Sequence, residues 1–291
     1  MNFGAVFRSA LLGSALWWAL PAGAQPDAPW QHLPPTPSLP PGGIVSHIRE
    51  HGARLWYSQW NSLGSLRPPV LLLHGGYGNS SYFGHLIAEL TAQHYRVIAL
   101  DSRGHGRSSA DDRQISFDLM ASDVIGLLDH LHIRQVSIVG WSDGGNTGLD
   151  LAIHHPDRVA RLFAFGAVAD QSGLKQGFDK DPVFAAYLER APKEYQALSP
   201  TPDRWTLFDA NINRMWSMAV AFNEQQLRSI RIPTTIADGE YDEGIKPEHS
   251  RYLARTILGA QLVILPSVSH FAMLQNPSEF NSAVIAFLKG P

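Results

Sequence analysis

No cysteine occurs among the 291 residues. That absence excludes disulfides, cysteine-ligated zinc or iron–sulfur sites, a thiol nucleophile and a lipid-modified N-terminal cysteine. Charge is scarce as well: charged residues make up 17% of the chain, against the ~25% usual in soluble domains. The 23 Lys and Arg nearly balance the 26 Asp and Glu, leaving a net charge of −3. A nucleic-acid-binding surface would show a basic excess or stripe, so nucleic acid is not an expected partner. The apolar run Ser9–Leu20 is too short to cross a bilayer as an ordinary helix, and no integral membrane segment is expected in the remaining chain. The glycine-bearing stretch Asp101–Ser108 is not followed by Gly-Lys-Ser/Thr, and no dinucleotide fingerprint opens a helix there, which excludes nucleotide binding. No repeat at solenoid or propeller spacing occurs. Apolar and aromatic residues are plentiful: 44% of the chain is hydrophobic, with 8 Trp and 13 Phe. That composition describes a well-filled globule with an apolar pocket.

Residues 1–24 read as an export signal. Arg8 and the α-amino group give a positive start, Ser9–Leu20 is apolar throughout, and Ala22-Gly23-Ala24 after Pro21 has the small-x-small form of a cleavage site. An exported protein, periplasmic or secreted, is the expectation. Residues 25–43 form a proline-rich lead-in, with seven prolines between Pro26 and Pro41, expected to be extended and largely unpacked. Without cysteines, packing alone must stabilise the exported chain.

The domain proper is expected over residues 44–291. Ile44–Glu50 and Ala53–Trp60 alternate around His51-Gly52, the pattern of a hairpin. Pro69–Leu73, Arg96–Leu100, Val136–Val139 and Val159–Phe165 are short apolar runs of the kind buried on both faces of a sheet. Helical periodicity marks Ser81–Gln93, Ser116–His132 and Gly144–His155 between them, with Ser116 placed as an N-cap. Thr234–Ala237, Glu248–Leu258, Gln261–Leu265 and Pro277–Leu288 then resume strand, helix, strand, helix. This alternation predicts an α/β fold: a mostly parallel, doubly wound sheet with antiparallel leading strands. The stretch 170–228 breaks the alternation and concentrates Trp205, Phe208, Met215, Trp216, Met218 and Phe222. A helical lid over the C-terminal edge of the sheet accounts for those aromatics better than ordinary surface helices do.

Chemistry concentrates in three places. Gly140-Trp141-Ser142-Asp143-Gly144 follows an apolar strand and opens a helix, the setting in which G-x-S-x-G exposes a serine hydroxyl on a sharp turn. A serine needs a base to take its proton. Of the 13 histidines, His270 stands between the last strand and the last helix, where such a base belongs. An acid must orient that imidazole. Asp242, in the turn before Pro247, is the first candidate; Glu240 and Glu243 are near rivals, and Asp170 a more distant one.

With those residues in place, the chain resembles the α/β-hydrolase superfamily over residues 44–288. The resemblance rests on His74-Gly75-Gly76, Asp101 to Ser108, the elbow around Ser142, Gly239-x-x-Asp242 and Ser269-His270-Phe271. It implies an oxyanion hole made by the backbone N–H groups of Gly76 (or Tyr77) and Asp143. Tyr77, Trp141 and Asp143 become the expected substrate-binding residues. The Asp101–Ser108 segment becomes a structural turn, with Arg103 and His105 making local hydrogen bonds and His74 also structural. No metal and no organic cofactor is implied. The expected activity is a serine hydrolase, first of all a carboxylic-ester hydrolase (EC 3.1.1.-) acting on a small-molecule ester. Lactonase, amidase or peptidase and carbon–carbon hydrolase use the same machinery, and a non-catalytic ligand-binding member of the fold is the rival from another class. Gly140 to Gly145 is also similar to the elbow of the valacyclovir-hydrolase-like branch, whose substrates are amino-acid esters. Asp143 therefore has two readings: a helix-terminal acid held by the dipole and a nearby donor, or a pocket acid that pairs with a cation on the substrate.

Overall fold

The computed structural model describes Met1 and residues 28–62, 67–218 and 222–290. The stretch expected to be an export signal, apart from Met1, and the first residues of the lead-in lie outside the described residues. The leading hairpin pairs β1 (Ile44–Glu50) with β2 (Ala53–Trp60) in antiparallel register, Glu50 opposite Ala53. Its turn residues His51 and Gly52 have φ of 47° and 86°, the positive values a two-residue turn of the I′ kind needs.

The remaining strands are β3 (Val70–Leu73), β4 (Val97–Leu100), β5 (Val136–Trp141), β6 (Val159–Phe165), β7 (Thr234–Gly239) and β8 (Gln261–Leu265). They form one sheet of eight strands in the order β1-β2-β4-β3-β5-β6-β7-β8. β2 runs antiparallel to β4, and all pairings from β4 through β8 are parallel. Every residue of β3, β4 and β5 is buried, which is why these strands read as unbroken apolar runs without alternation.

Helices cover the two faces: α1 (Gly84–Ala92), α2 (Phe117–His130), α3 (Asp143–His154), then α7 (Pro247–Thr256), α8 (Ala272–Gln275) and α9 (Pro277–Lys289) after the insertion. Ser116 caps α2 by accepting the Leu119 N–H. The helix expected from Ser81 begins instead as a 3-10 turn, Ser80–Phe83, capped by Asn79, and α1 follows it.

The insertion contains α4 (Pro182–Leu198), α5 (Trp205–Met218) and α6 (Glu224–Ser229). Asp181 caps α4, and its buried stripe of Val183, Phe184, Tyr187, Ala191 and Tyr195 recurs at helical spacing. Tyr195 stacks on Phe208 of α5, with centroids 5.0 Å apart. α4 and α5 cover a cavity at the C-terminal ends of β5 to β8, as a lid does.

The lead-in departs from its expected unpacked state. Arg190 of α4 donates to the carbonyls of Leu33 and Pro34, at 2.9 and 2.7 Å. Thr36 donates to Glu194, Trp30 stacks on Tyr241 with centroids 4.0 Å apart, and Leu33 and Leu39 pack against the core. Polyproline-like backbone has free carbonyls and few side-chain rotamers to lose, so fixing it across a surface costs little entropy.

The turn Asp101–Ser108 is built on buried charge. Asp101 accepts from the backbone and hydroxyl of Ser80 and from Arg107. Arg103 is fully enclosed and reaches beyond its own turn to Asp123 of α2, at 2.6 Å, and to Asp111. Its bonds are therefore not only local, and a bidentate ion pair of this kind holds the turn to a helix. His74 accepts the Ser102 N–H at Nε2 and donates from Nδ1 to Gly75 O, which makes it structural.

Candidate active site

The serine turn is set by contacts that admit no side chain. A Cβ on Gly144 would lie 1.9 Å from Leu73 O, and one on Gly140 would lie 2.3 Å from Gly144 O. Ser142 itself has φ 54° and ψ −118°, a strained conformation for a residue with a side chain. Its N–H donates to Phe165 O and its carbonyl accepts from Asn146, so both neighbours lock the turn. α3 starts at the next residue. Asp143, as its first residue, has no intrahelical acceptor for its amide N–H.

Asp242 stands just beyond β7. Its Oδ1 accepts the N–H groups of Gly244 and Ile245, both at 2.8 Å, and its Oδ2 lies 2.6 Å from His270 Nδ1. Among the described residues it is the acid at hydrogen-bonding distance from the His270 ring. Burial works against the Asp242 charge, yet the imidazole and these hydrogen bonds outweigh it and hold the carboxyl below its ordinary range. Burial likewise opposes charge on His270, and the Asp242 carboxylate outweighs it, raising the imidazole above its usual value. With Nδ1–H given to Asp242, the other ring nitrogen, Nε2, is left as the base.

The rival acids have other tasks. Glu240 accepts the Ser267 N–H, Asp170 accepts the Ser172 N–H, and Glu243 accepts the backbone N–H of His270 at 2.9 Å. Burial, with the nearby Asp242 charge, pushes the Glu243 carboxyl up to about 7. A carboxyl raised in the folded state contributes stability that is complete below its unfolded value and is lost as pH rises through the folded one. Glu243→Gln keeps an acceptor for the His270 N–H without the charge. It should therefore gain roughly 1–3 kcal/mol over the parent near pH 8 and nothing near pH 4, read from urea melts at both.

Two further residues escaped the sequence reading. Asp238, at the end of β7, accepts from Ser250 and shares a hydrogen bond with Asp242; burial and the Asp242 charge raise it well above an ordinary carboxyl. Gln275 accepts the Ser269 N–H and donates to the His32 carbonyl of the lead-in. Asp238 is one of the four acids from Asp238 to Glu243, but nothing in the sequence shows that it bonds Asp242. The Gln275 bond spans most of the chain and leaves no local pattern.

Ser142, Asp143 and His270 line one cavity of about 320 Å³. Asn146, Gly166, Val168 and Ile245 also line it, and Phe178, Phe184 and Trp216 come from the insertion. Asp143 faces this cavity, and Trp216 Nε1 donates to its carboxylate at 2.9 and 3.2 Å. Burial raises that carboxyl to about 6, against the opposing pull of the Trp216 bond and His270. Tyr77 and Trp141 do not line the cavity, contrary to their expected role. Trp141 is buried beneath it, stacked on Tyr82 and set against Tyr187 and Phe271. Side chains alternate along a strand, and at the last position of β5 that sends the indole into the packing while Ser142 turns outward. Tyr77 turns to the lid and donates to Asp209 of α5. Gly76 contributes backbone only: the loop after β3 lies against Ser142, a Cβ on Gly75 falling 3.1 Å from Ser142 Cβ. No group of three or more His, Asp or Glu suited to a metal occurs among the described residues.

Comparison with known proteins fits this architecture. The alpha/beta hydrolase fold family profile matches residues 68–204. Serine hydrolase BPHL of Mus musculus is 28% identical over 254 residues, spanning 83% of this chain and 85% of that protein. The 2-hydroxymuconate semialdehyde hydrolase of Pseudomonas sp. (strain CF600) is 31% identical over 245 residues, 76% of this chain and 86% of its own. A solved enol-lactonase from Burkholderia xenovorans LB400 superposes with a TM-score of 0.68 at 24% identity, covering 84% of this chain and 100% of that one. Motif order, sheet topology and relatives agree: this chain belongs to the alpha/beta hydrolase fold family, and the relatives named here are hydrolases.

Proposed function

We propose that this chain is an exported serine hydrolase that cleaves carboxylic esters of small or medium substrates through an acyl-enzyme on Ser142. The observation that carries the reading is the Asp242–His270 pair, 2.6 Å apart, with His270 on the cavity that Ser142 also lines. His270 Nε2 takes the hydroxyl proton as Ser142 Oγ bonds to the ester carbon. The carbonyl electrons move to oxygen, where the amides of Gly76 and Asp143 receive the charge. Collapse of the tetrahedral adduct expels the alkoxide, protonated by His270. Water, deprotonated by the same imidazole, then bonds to the acyl carbon and releases acid and free Ser142. Asp242 stays ionised throughout and stabilises the imidazolium. An apolar wall of Phe178, Phe184, Val168 and Ile245 suits the acyl part of such a substrate.

Within this class the cavity favours an ester that carries an amine. Besides His270, its charged lining residues are Asp143 and Asp170, and neither Lys nor Arg is among them. A panel of neutral p-nitrophenyl esters, amino-acid esters, a lactone and a carbon–carbon diketone tests both levels. Ester turnover above the other classes is expected. Asp143→Asn should reduce kcat/KM on amino-acid esters about 10- to 100-fold more than on neutral esters, the loss of a charge-assisted contact. Equal losses on both would remove the amine, and labelling by a phosphonate without turnover of any substrate would favour a binding protein.

A further inference from the structure

The Asp143 carboxylate sits where a negative charge is least wanted. A Cβ on Gly76 would fall 2.5 Å from Asp143 Oδ2 and 2.5 Å from Trp216 Cζ2, so carboxylate and indole meet directly over the Gly76 backbone. In the reading above, the Gly76 amide and the Asp143 amide are the oxyanion donors. A carboxylate free to rotate there would accept from the same N–H groups the reaction needs, and its charge would oppose the developing oxyanion. With its carboxyl raised only to about 6, Asp143 is largely ionised at neutral pH, so the problem is present under working conditions.

Trp216 is held against this carboxylate. Its indole N–H reaches both carboxylate oxygens, at 2.9 and 3.2 Å. Its ring meets the Tyr77 ring edge-on, with centroids 5.0 Å apart. Tyr77 in turn donates to Asp209 and accepts from Asn213 on the same helix, α5. Gln171 donates to the Trp216 carbonyl at 2.7 Å. The lid helix is thereby fixed to the loop after β3, and it delivers one neutral donor to one acid.

Resting on the serine-hydrolase reading, we propose that Trp216 is a positioning residue: its indole N–H holds the Asp143 carboxylate against the lid and leaves the oxyanion amides free for the substrate. Turnover then depends on the lid being seated, because the donor arrives with α5. The arrangement also explains how this elbow carries an acid where a neutral side chain would be simpler.

The test is a double-mutant cycle in the full chain, read with a neutral p-nitrophenyl ester and with the rate of labelling by a fluorophosphonate, whose phosphoryl oxygen occupies the oxyanion site. Trp216→Phe keeps the ring and removes the donor. It should lower kcat and the labelling rate roughly 10- to 100-fold with KM changed less than about threefold. In an Asp143→Ala background, where no carboxylate needs holding, the same change should cost less than about threefold. Trp216→His, which keeps a ring N–H, should recover part of the loss, and it carries the cycle if the phenylalanine variant does not fold. Equal losses in both backgrounds, or no loss in either, would overturn the proposal and leave Trp216 a packing residue. A wild-type protein that is turned over and labelled at Ser142 keeps the hydrolase reading intact in that case. Failure of the wild type to label overturns both.

Discussion

Replacing Ser142 by alanine is expected to lower ester turnover by about 10⁴-fold or more while leaving the fold in place. The size follows from the chemistry assigned to the hydroxyl. Without it there is no acyl-enzyme, and what remains is the oxyanion site and the binding cavity acting on a water. The fold should tolerate the change because the turn is held by backbone bonds, from Ser142 N–H to Phe165 O and from Asn146 N–H to Ser142 O, which alanine keeps. Circular dichroism and a melting temperature within about 2 °C of the parent would confirm an intact protein. Residual activity within tenfold of the parent would assign the nucleophile elsewhere.

The largest expected effect on stability comes two residues later. Gly144→Ala would place a Cβ 1.9 Å from Leu73 O and 2.4 Å from the Leu73 carbonyl carbon, both backbone atoms of a central strand. Relief requires moving α3 away from β3, and with it the turn that presents Ser142. A cost above about 4 kcal/mol, or failure to accumulate folded protein, is the expected result of such a clash. Gly145→Ala is the internal control. Its Cβ would meet the Ala167 Cβ at 3.0 Å, a tight contact with a single side-chain methyl that a shift of a few tenths of an ångström relieves, and should cost on the order of 1 kcal/mol. Urea melts of the pair check the contrast, and equal stabilities would show that the elbow is not the rigid element described here.

Much of the architecture is legible in the amino-acid sequence. Strands buried on both faces, β3, β4 and β5, announce themselves as short apolar runs, and the bounds of β1, β2, β6 and β8 fall on the ranges read from the sequence. The elbow was legible because its glycines are demanded by local contacts, and local contacts leave local patterns. Distant ones do not. Arg103 bonding Asp123, Arg190 gripping the carbonyls of Leu33 and Pro34, and Trp216 reaching Asp143 each join segments that spacing cannot relate. The lead-in was misjudged for that reason: proline content describes a backbone that is extended, and says nothing about what it lies against. Trp141 is adjacent to the serine in sequence but points away from it because side chains alternate along a strand, and Tyr77 is drawn out of the cavity by its bond to Asp209 of the lid. Ser142, Asp242 and His270 are spread over half the chain, yet each stands at the C-terminal end of a strand, and the parallel sheet gathers those ends along one edge.

The most direct test of the account is to trap the acyl group on the protein. Mixing the enzyme with a p-nitrophenyl ester, quenching in acid within the first turnovers and digesting for mass spectrometry reads the site itself. The account predicts a burst of nitrophenol and one acyl group on the peptide that carries Ser142, absent from Ser142→Ala. Steady turnover by the wild type with an acyl group on another residue, or with the Ser142→Ala protein acylated equally, would contradict it.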